Sequence, residues 1–138
     1  MSTVTGFHHV AIRARDFDKS VAFYTDVLGL TPKIAWGKAP GRAIMLDAGC
    51  SCYVEIFERP DQPLADEKDE TALLHFALRT DDTDATLARA VDAGCKVTME
   101  AKDVDIPTTL GPHPVPVRIA FFRGPDNEVI ELFQNELT

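Results

Sequence analysis

The chain has 138 residues, and 22 Asp and Glu against 14 Lys and Arg give it a formal charge of −8. That length fits one domain of the usual ~100–150 residues, and 45% hydrophobic residues with eight Phe supply a packed core and exclude a disordered tail. The acidic balance excludes nucleic acid as a partner, because phosphate backbones are bound by clustered Lys and Arg, and it disfavours anionic lipid.

In chain order, Phe7–Ala14 alternates and is rich in β-formers, which predicts a strand. Asp16 or Asp18 then offers an N-cap for a helix in which Val21, Phe23, Tyr24, Val27 and Leu28 recur at helical spacing, with Gly29 as the stop. A Gly- and Pro-rich loop, residues 37–42, leads to strands at Ala43–Asp47 and Cys52–Glu58 around the turn Ala48–Ser51. The polar stretch Arg59–Glu70 reads as a linker. Beyond it the pattern restarts: a strand at Leu73–Thr80, a capped helix at Asp81–Gly94, a strand at Lys96–Ala101, and a long Pro-rich loop over residues 104–116. A closing hairpin, Val117–Arg123 and Glu128–Gln134, turns at Gly124–Asn127, where Asn127 suits a position needing positive φ.

The two halves repeat residue by residue. Placing His9 on His75 puts Arg13 on Arg79 and Asp16 on Asp82. The strands YVEIFE and VIELFQ make Glu55 and Glu131 counterparts, with ten extra residues in the second half that are assigned most simply to the Pro-rich loop. A strand–helix–strands repeat predicts class α+β, with two β-α-β-β-β modules at about residues 5–60 and 71–136 joined by the linker.

No stretch reaches the ~18 apolar residues of a membrane helix, and MSTVTGFHH lacks the basic and apolar regions of a signal peptide, so the expected location is the cytoplasm. Cys50, Cys52 and Cys95 cannot all pair within one chain. They are expected as reduced thiols in ordinary core or strand positions.

Four strands carry an oddly placed polar residue: His9, Glu55, His75 and Glu131. Strand alternation puts each on the face opposite the aliphatic residues that would pack on helices. Buried Glu and His in apolar strands are costly unless paired or bound to a metal. Two imidazoles and two carboxylates suit a borderline or hard divalent ion such as Zn, Ni, Co, Mn or Fe, with open positions for water or substrate. The blander alternative is a pair of ordinary ion pairs on a solvated sheet face. Arg13 shares the His9 face and could bind a substrate carboxylate bidentately or form a structural ion pair. His8 falls on the opposite face and is expected to be a packing or surface residue, and His113, among prolines, a loop residue. No nucleophile elbow, P-loop or dinucleotide fingerprint is present.

HHVAIRARDFDKSVAFYTDVLGL, YVEIFE, LLHFALRTDD and IAFFRGPDNEVIELFQ resemble the vicinal oxygen chelate superfamily, which includes glyoxalase I, bleomycin-resistance proteins and extradiol dioxygenases. The resemblance implies a curved mixed sheet cup built from both modules, a homodimer and a small-molecule substrate. It is strongest to glyoxalase I, which implies metal ligands His9, Glu55, His75 and Glu131. It also implies Glu131 as first choice of general base with Glu55 as runner-up, Arg13 as a substrate contact, and glutathione or another thiol as cosubstrate. The implied activity is that of a lactoylglutathione lyase, a proton transfer next to a carbonyl through a metal-held enediolate. The chain departs from the pattern at Arg59, where glyoxalase I carries Asn. Alternatives are an Fe-dependent dioxygenase, an acyl-CoA epimerase, or an antibiotic- or metabolite-binding protein without turnover.

Overall fold

Asp16 and Asp82 start equivalent helices. Asp16 Oδ1 accepts the Lys19 amide at 3.0 Å and Asp82 Oδ1 accepts the Ala85 amide at 2.9 Å, each satisfying an amide the first helical turn leaves open. Helices α1 (Phe17–Ala22) and α2 (Thr83–Asp92) follow from these caps. In this computed structural model, which describes residues 6–64, 66 and 73–136, α1 passes into one π-helical turn at Phe23–Val27. Gly29 follows at φ +79°, a left-handed value that glycine takes without steric cost. The first helical segment therefore ends where expected, with a looser last turn.

The chain divides into two units, Met1–Leu64 and Ala65–Thr138. Of the expected linker, residues 65 and 67–70 lie outside the described residues, as do residues 71–72 and both chain ends. The first unit holds β1 (His9–Ala14), β2 (Thr31–Trp36), β3 (Ala43–Asp47) and β4 (Tyr53–Glu58) in the order β1-β4-β3-β2. The second holds β5 (Phe76–Arg79), β6 (Lys96–Ile106), β7 (Val115–Arg123) and β8 (Val129–Gln134) in the order β5-β8-β7-β6. β1 runs parallel to β4 and β5 parallel to β8, and the remaining pairs are antiparallel. Two open mixed sheets of identical order, with one main helix each, make the expected α+β fold.

Three features differ from the sequence reading, the first being that β5 begins only at Phe76, which leaves His75 just ahead of the strand expected from Leu73. Thr31–Trp36 is a strand that sequence pattern left unassigned: all six residues are exposed, so no alternation marks it. Its Pro32 sits in an edge strand, where a missing N–H costs least. The ten extra residues of the second half fall mainly in strands rather than in the Pro-rich loop. β6 has 11 residues where β2 has six, and β7 nine where β3 has five. Val104–Ile106 and Val115–Pro116, expected as loop, belong to the pairing, with Val104 opposite Val117 and Ile106 opposite Val115. Pro116 is tolerated there because the pairing of β7 with β8 begins only at Arg118, so that end of β7 has a single strand neighbour.

The turns follow their residue types. Gly49, Cys50 and Ser51 all take positive φ between β3 and β4, and Asn127 does so at +62° between β7 and β8. Cys50, Cys52 and Cys95 form no disulfide, and none sits in a strand or the buried core as expected: Cys50 is exposed in its turn and the other two are half-buried beside strand ends.

Each unit packs its helix on its sheet. Tyr24, Leu46, Val54 and Ile56 are buried in the first unit and Leu87, Ala90, Phe122, Ile130 and Leu132 in the second. An arginine ties each helix start to a strand. Arg42 donates from Nη1 to Asp18 Oδ1 at 2.9 Å, and from Nε and Nη2 to both oxygens of Glu58 at 3.0 and 2.8 Å. Its guanidinium lies 4.5 Å above the Phe17 ring. Arg118 grips Asp84 in the same fork, at 2.7 and 2.8 Å, and reaches Asp103 at 3.0 Å. Asp84 is the counterpart of Asp18 at the helix offset and Arg118 that of Arg42 at the strand offset. At the Glu58 position stands Gln134, whose Oε1 accepts the Thr83 amide and hydroxyl, both at 2.9 Å.

The Arg42 side-chain hydrogen bonds, with the Arg42 amide second, hold the Glu58 carboxyl below the ordinary glutamate range. A carboxyl whose folded value is depressed stabilises the fold fully above its unfolded value and loses that contribution as pH falls through the folded one. In Arg42→Ala the side-chain hydrogen bonds that cause most of the depression are gone, while the amide of residue 42 still donates to Glu58 Oε2. The urea midpoint of the variant should therefore lie below that of the wild type at about pH 7, with the gap narrowing towards about pH 3. A gap independent of pH would show that the pair does not act through Glu58 ionisation.

Candidate functional site

Alternation along β4 and β8 places the carboxylates. Val54 and Ile56 are buried at 1% and 0%, as are Ile130 and Leu132 at 0% each, and α1 packs on β4 while α2 packs on β7 and β8. Glu55 and Glu131, between these apolar neighbours, must point to the opposite face of their sheets.

In the first unit β1 and β4 pair in parallel with His9 beside Tyr53 and Ala11 beside Glu55, so His9 and Glu55 are diagonal neighbours on one face. His9 Nε2 stands 3.9 Å from Glu55 Oε1. In the second unit Ala77 pairs with Glu131, and His75, just ahead of β5, occupies the same diagonal. Its Nε2 lies 2.9 Å from Glu131 Oε2. Both glutamates are 9% exposed, whereas the two imidazoles keep over a third of their side-chain surface open. Each unit thus brings together the His and Glu that the sequence singled out.

The surroundings of the two pairs differ. Met45 pairs with Glu55 on β3, and Phe121 with Glu131 on β7. The Phe121 ring meets His75 edge-on at 5.2 Å. In the first unit the neighbour of the imidazole is polar: His8 Nδ1 lies 2.9 Å from His9 Nδ1. His8, expected as a separate surface or packing residue, is exposed but in contact with His9. It precedes β1, so strand alternation does not turn it to the opposite face.

A carboxylate offers about four lone-pair sites. Among the described residues the only partner of either glutamate's carboxylate is its histidine, so most of that capacity faces outward unspent, beside an imidazole nitrogen of matching reach. That donor set fits a divalent cation better than it fits a plain ion pair, which at this burial usually satisfies its remaining lone pairs. Among the described residues of either unit, no group of three or more His, Cys, Asp or Glu is arranged to hold a metal; each pair supplies two donors.

Arg13 lies in β1 on the His9 face, exposed and with no ion pair among the described residues. Arg59, at the departure from the glyoxalase I pattern, donates to the Glu58 carbonyl at 2.7 Å and lies over the Phe57 ring. His113 belongs elsewhere. It lines a cavity of about 880 Å³ in the second unit with Asp81, Asp103, Asp105, Arg118 and Glu136, apart from both His75 and Glu131. No helix among the described residues is long and apolar enough to cross a membrane.

Residues 6–132 match the family described as the Glyoxalase/Bleomycin resistance protein/Dioxygenase superfamily. A protein of Vibrio parahaemolyticus named probable lactoylglutathione lyase is 33% identical over 136 residues, covering 93% of this chain and 89% of its own. Among solved structures, a mutant of glyoxalase I from Zea mays superposes with a TM-score of 0.72 at 23% identity, over 92% of this chain and 43% of that one. TnmS3, an antibiotic binding protein from Streptomyces sp. CB03234, superposes with a TM-score of 0.63 at 24% identity, over 99% of this chain and 100% of that one. The repeated sheet order, the duplicated His–Glu diagonal and the match over nearly the whole sequence lead to one statement of kinship: the chain belongs to the Glyoxalase/Bleomycin resistance protein/Dioxygenase superfamily.

Proposed function

We propose that the protein is a divalent-metal-dependent lyase or isomerase of the glyoxalase I type, acting on a small molecule with adjacent oxygens such as the hemithioacetal of a 2-oxoaldehyde and a thiol. The observation that carries this reading is the duplicated pair, a buried Glu with an exposed His on the same strand diagonal in each unit. His9, Glu55, His75 and Glu131 are the proposed ligands, taken from one chain or from the two chains of a homodimer. A bound divalent ion supplies Lewis-acid stabilisation of negative charge developing on the substrate oxygens.

The chain's own residues do the proton chemistry. Glu131 is the proposed general base: an Oε atom takes the proton from the carbon next to the carbonyl and returns it to the neighbouring carbon. Its burial leaves the carboxylate few waters to shed first, and Phe121 and His75 limit its motion. Glu55 is the second choice, standing 3.9 Å from its histidine. Arg13 holds a carboxylate of the thiol cosubstrate, its fork matching two oxygens. The kinship with a probable lactoylglutathione lyase favours this reading over a dioxygenase or a ligand-binding protein.

Purified protein should contain about one Zn, Ni, Co, Mn or Fe ion per chain and, with at least one of these metals, isomerise a hemithioacetal. Tight binding without turnover under every metal would overturn the enzyme reading in favour of a binding protein. Loss of a general base typically costs ~10²–10⁴ in rate, so Glu131→Gln should lower kcat into that range, and full activity in that variant would move the base to another residue. Arg13→Ala should raise KM about tenfold or more with kcat little changed, since a charge-assisted hydrogen bond contributes ~1.5–3 kcal/mol. An unchanged KM would remove Arg13 from the substrate site.

A further inference from the structure

The two histidines at equivalent positions are held differently. His75 Nδ1 has no acceptor among the described residues, and Leu74 precedes it. His9 Nδ1 faces His8 Nδ1 at 2.9 Å, and the rings meet nearly at right angles with centroids 5.1 Å apart. His8 is itself fixed. Its carbonyl accepts the Tyr53 amide at 2.9 Å, and its ring lies against the Tyr53 ring at 5.1 Å. A short contact between two ring nitrogens requires one proton between them, so one imidazole donates and the other accepts.

We propose that His8 is a positioning residue for His9, accepting the His9 Nδ1 proton so that the Nε2 lone pair is presented towards the Glu55 side. The inference rests on the metal reading above and deepens it. A neutral imidazole that binds a metal through Nε2 must carry its proton on Nδ1, and metal-ligating histidines usually donate that other N–H to a fixed acceptor. His8 supplies that acceptor with its Nδ1 lone pair, its own proton residing on Nε2. The second unit has an aromatic ring beside its histidine instead, so the two halves of the ligand set differ in how firmly the imidazole is held. The His9 half is aligned by a hydrogen bond and the His75 half by Glu131 and Phe121.

The test is titration of metal-free protein with Zn(II) or Co(II) alone. It compares wild type with His8→Leu, which installs the residue the second unit carries, and with His8→Asn, whose Oδ1 can accept at the position of the ring nitrogen. Loss of such an orienting partner costs about 10–100-fold in metal affinity. His8→Leu should bind in that range more weakly and change the Co(II) visible spectrum, while His8→Asn restores most of the affinity. The thermal midpoint of the metal-free protein should be the same in all three, because His8 is exposed. Equal affinity in wild type and His8→Leu overturns the inference and leaves the metal reading standing. So does equal loss in both variants, which would make the ring itself a ligand. A fall in the metal-free midpoint of His8→Leu also overturns it, in favour of a packing role. Absence of metal binding by the wild type overturns both readings.

Discussion

The burial of Val54 and Ile56 in one unit, and of Ile130 and Leu132 in the other, is the constraint on which the remaining features depend. Each such side chain contributes ~1.5–3 kcal/mol by leaving water, and all four are essentially without exposed surface. A slip of one residue in β4 or β8 would exchange this apolar set for glutamate and aromatic side chains. Core packing therefore sets the register, and the register alone turns Glu55 and Glu131 to the other face. The carboxylates sit at 9% exposure beside an imidazole because hydrophobic burial leaves them no other direction. Their position is thus as firm as the core.

The arginine forks complete that framework from the helix side. Arg42 joins the start of α1 to the end of β4 through Asp18 and Glu58, and Arg118 joins the start of α2 to β6 through Asp84 and Asp103. Asp84, like Glu58, is held below the ordinary carboxylate range by its arginine's side-chain hydrogen bonds. The pairs to the exposed aspartates Asp18, Asp84 and Asp103 add little individually. Their geometric effect is larger: a planar fork with two partners fixes the angle at which the helix start meets its sheet, and so which strand residues the helix covers.

Much of this was legible in the sequence, because the signals were local or duplicated. The capping aspartates, the alternation of β1, β4 and β8, and the His–Glu counterparts all follow from side-chain period and the repeat. What escaped has a common cause. β2 carries no alternation, since all its residues are exposed, and its proline speaks against a strand until its edge position is known. The outer parts of β6 and β7 look like loop because Pro116 and the neighbouring prolines are read without knowing that β8 stops short of them. The link between His8 and His9 escaped because alternation was extended one residue beyond the strand. The Arg–Asp forks were present at the repeat's own offsets, yet two different offsets must be applied at once to see them, and only the strand pairing supplies the second.

The unequal lengths of β6–β7 and β2–β3 bear on how such a molecule can change over time. In each unit the histidine stands on its strand or just ahead of it, that strand is joined to the glutamate's by backbone hydrogen bonds, and the chain between the two residues runs through the helix and the outer hairpin. Insertion in that hairpin lengthens the route without moving either end, and the second unit carries ten additional residues there while keeping the diagonal. The outer ribbon is therefore a region where mutation can remodel surface and specificity with little penalty to the donors. The architecture separates what must stay fixed from what is free to diverge, which suits a scaffold on which related chemistries are to be reached by successive small steps.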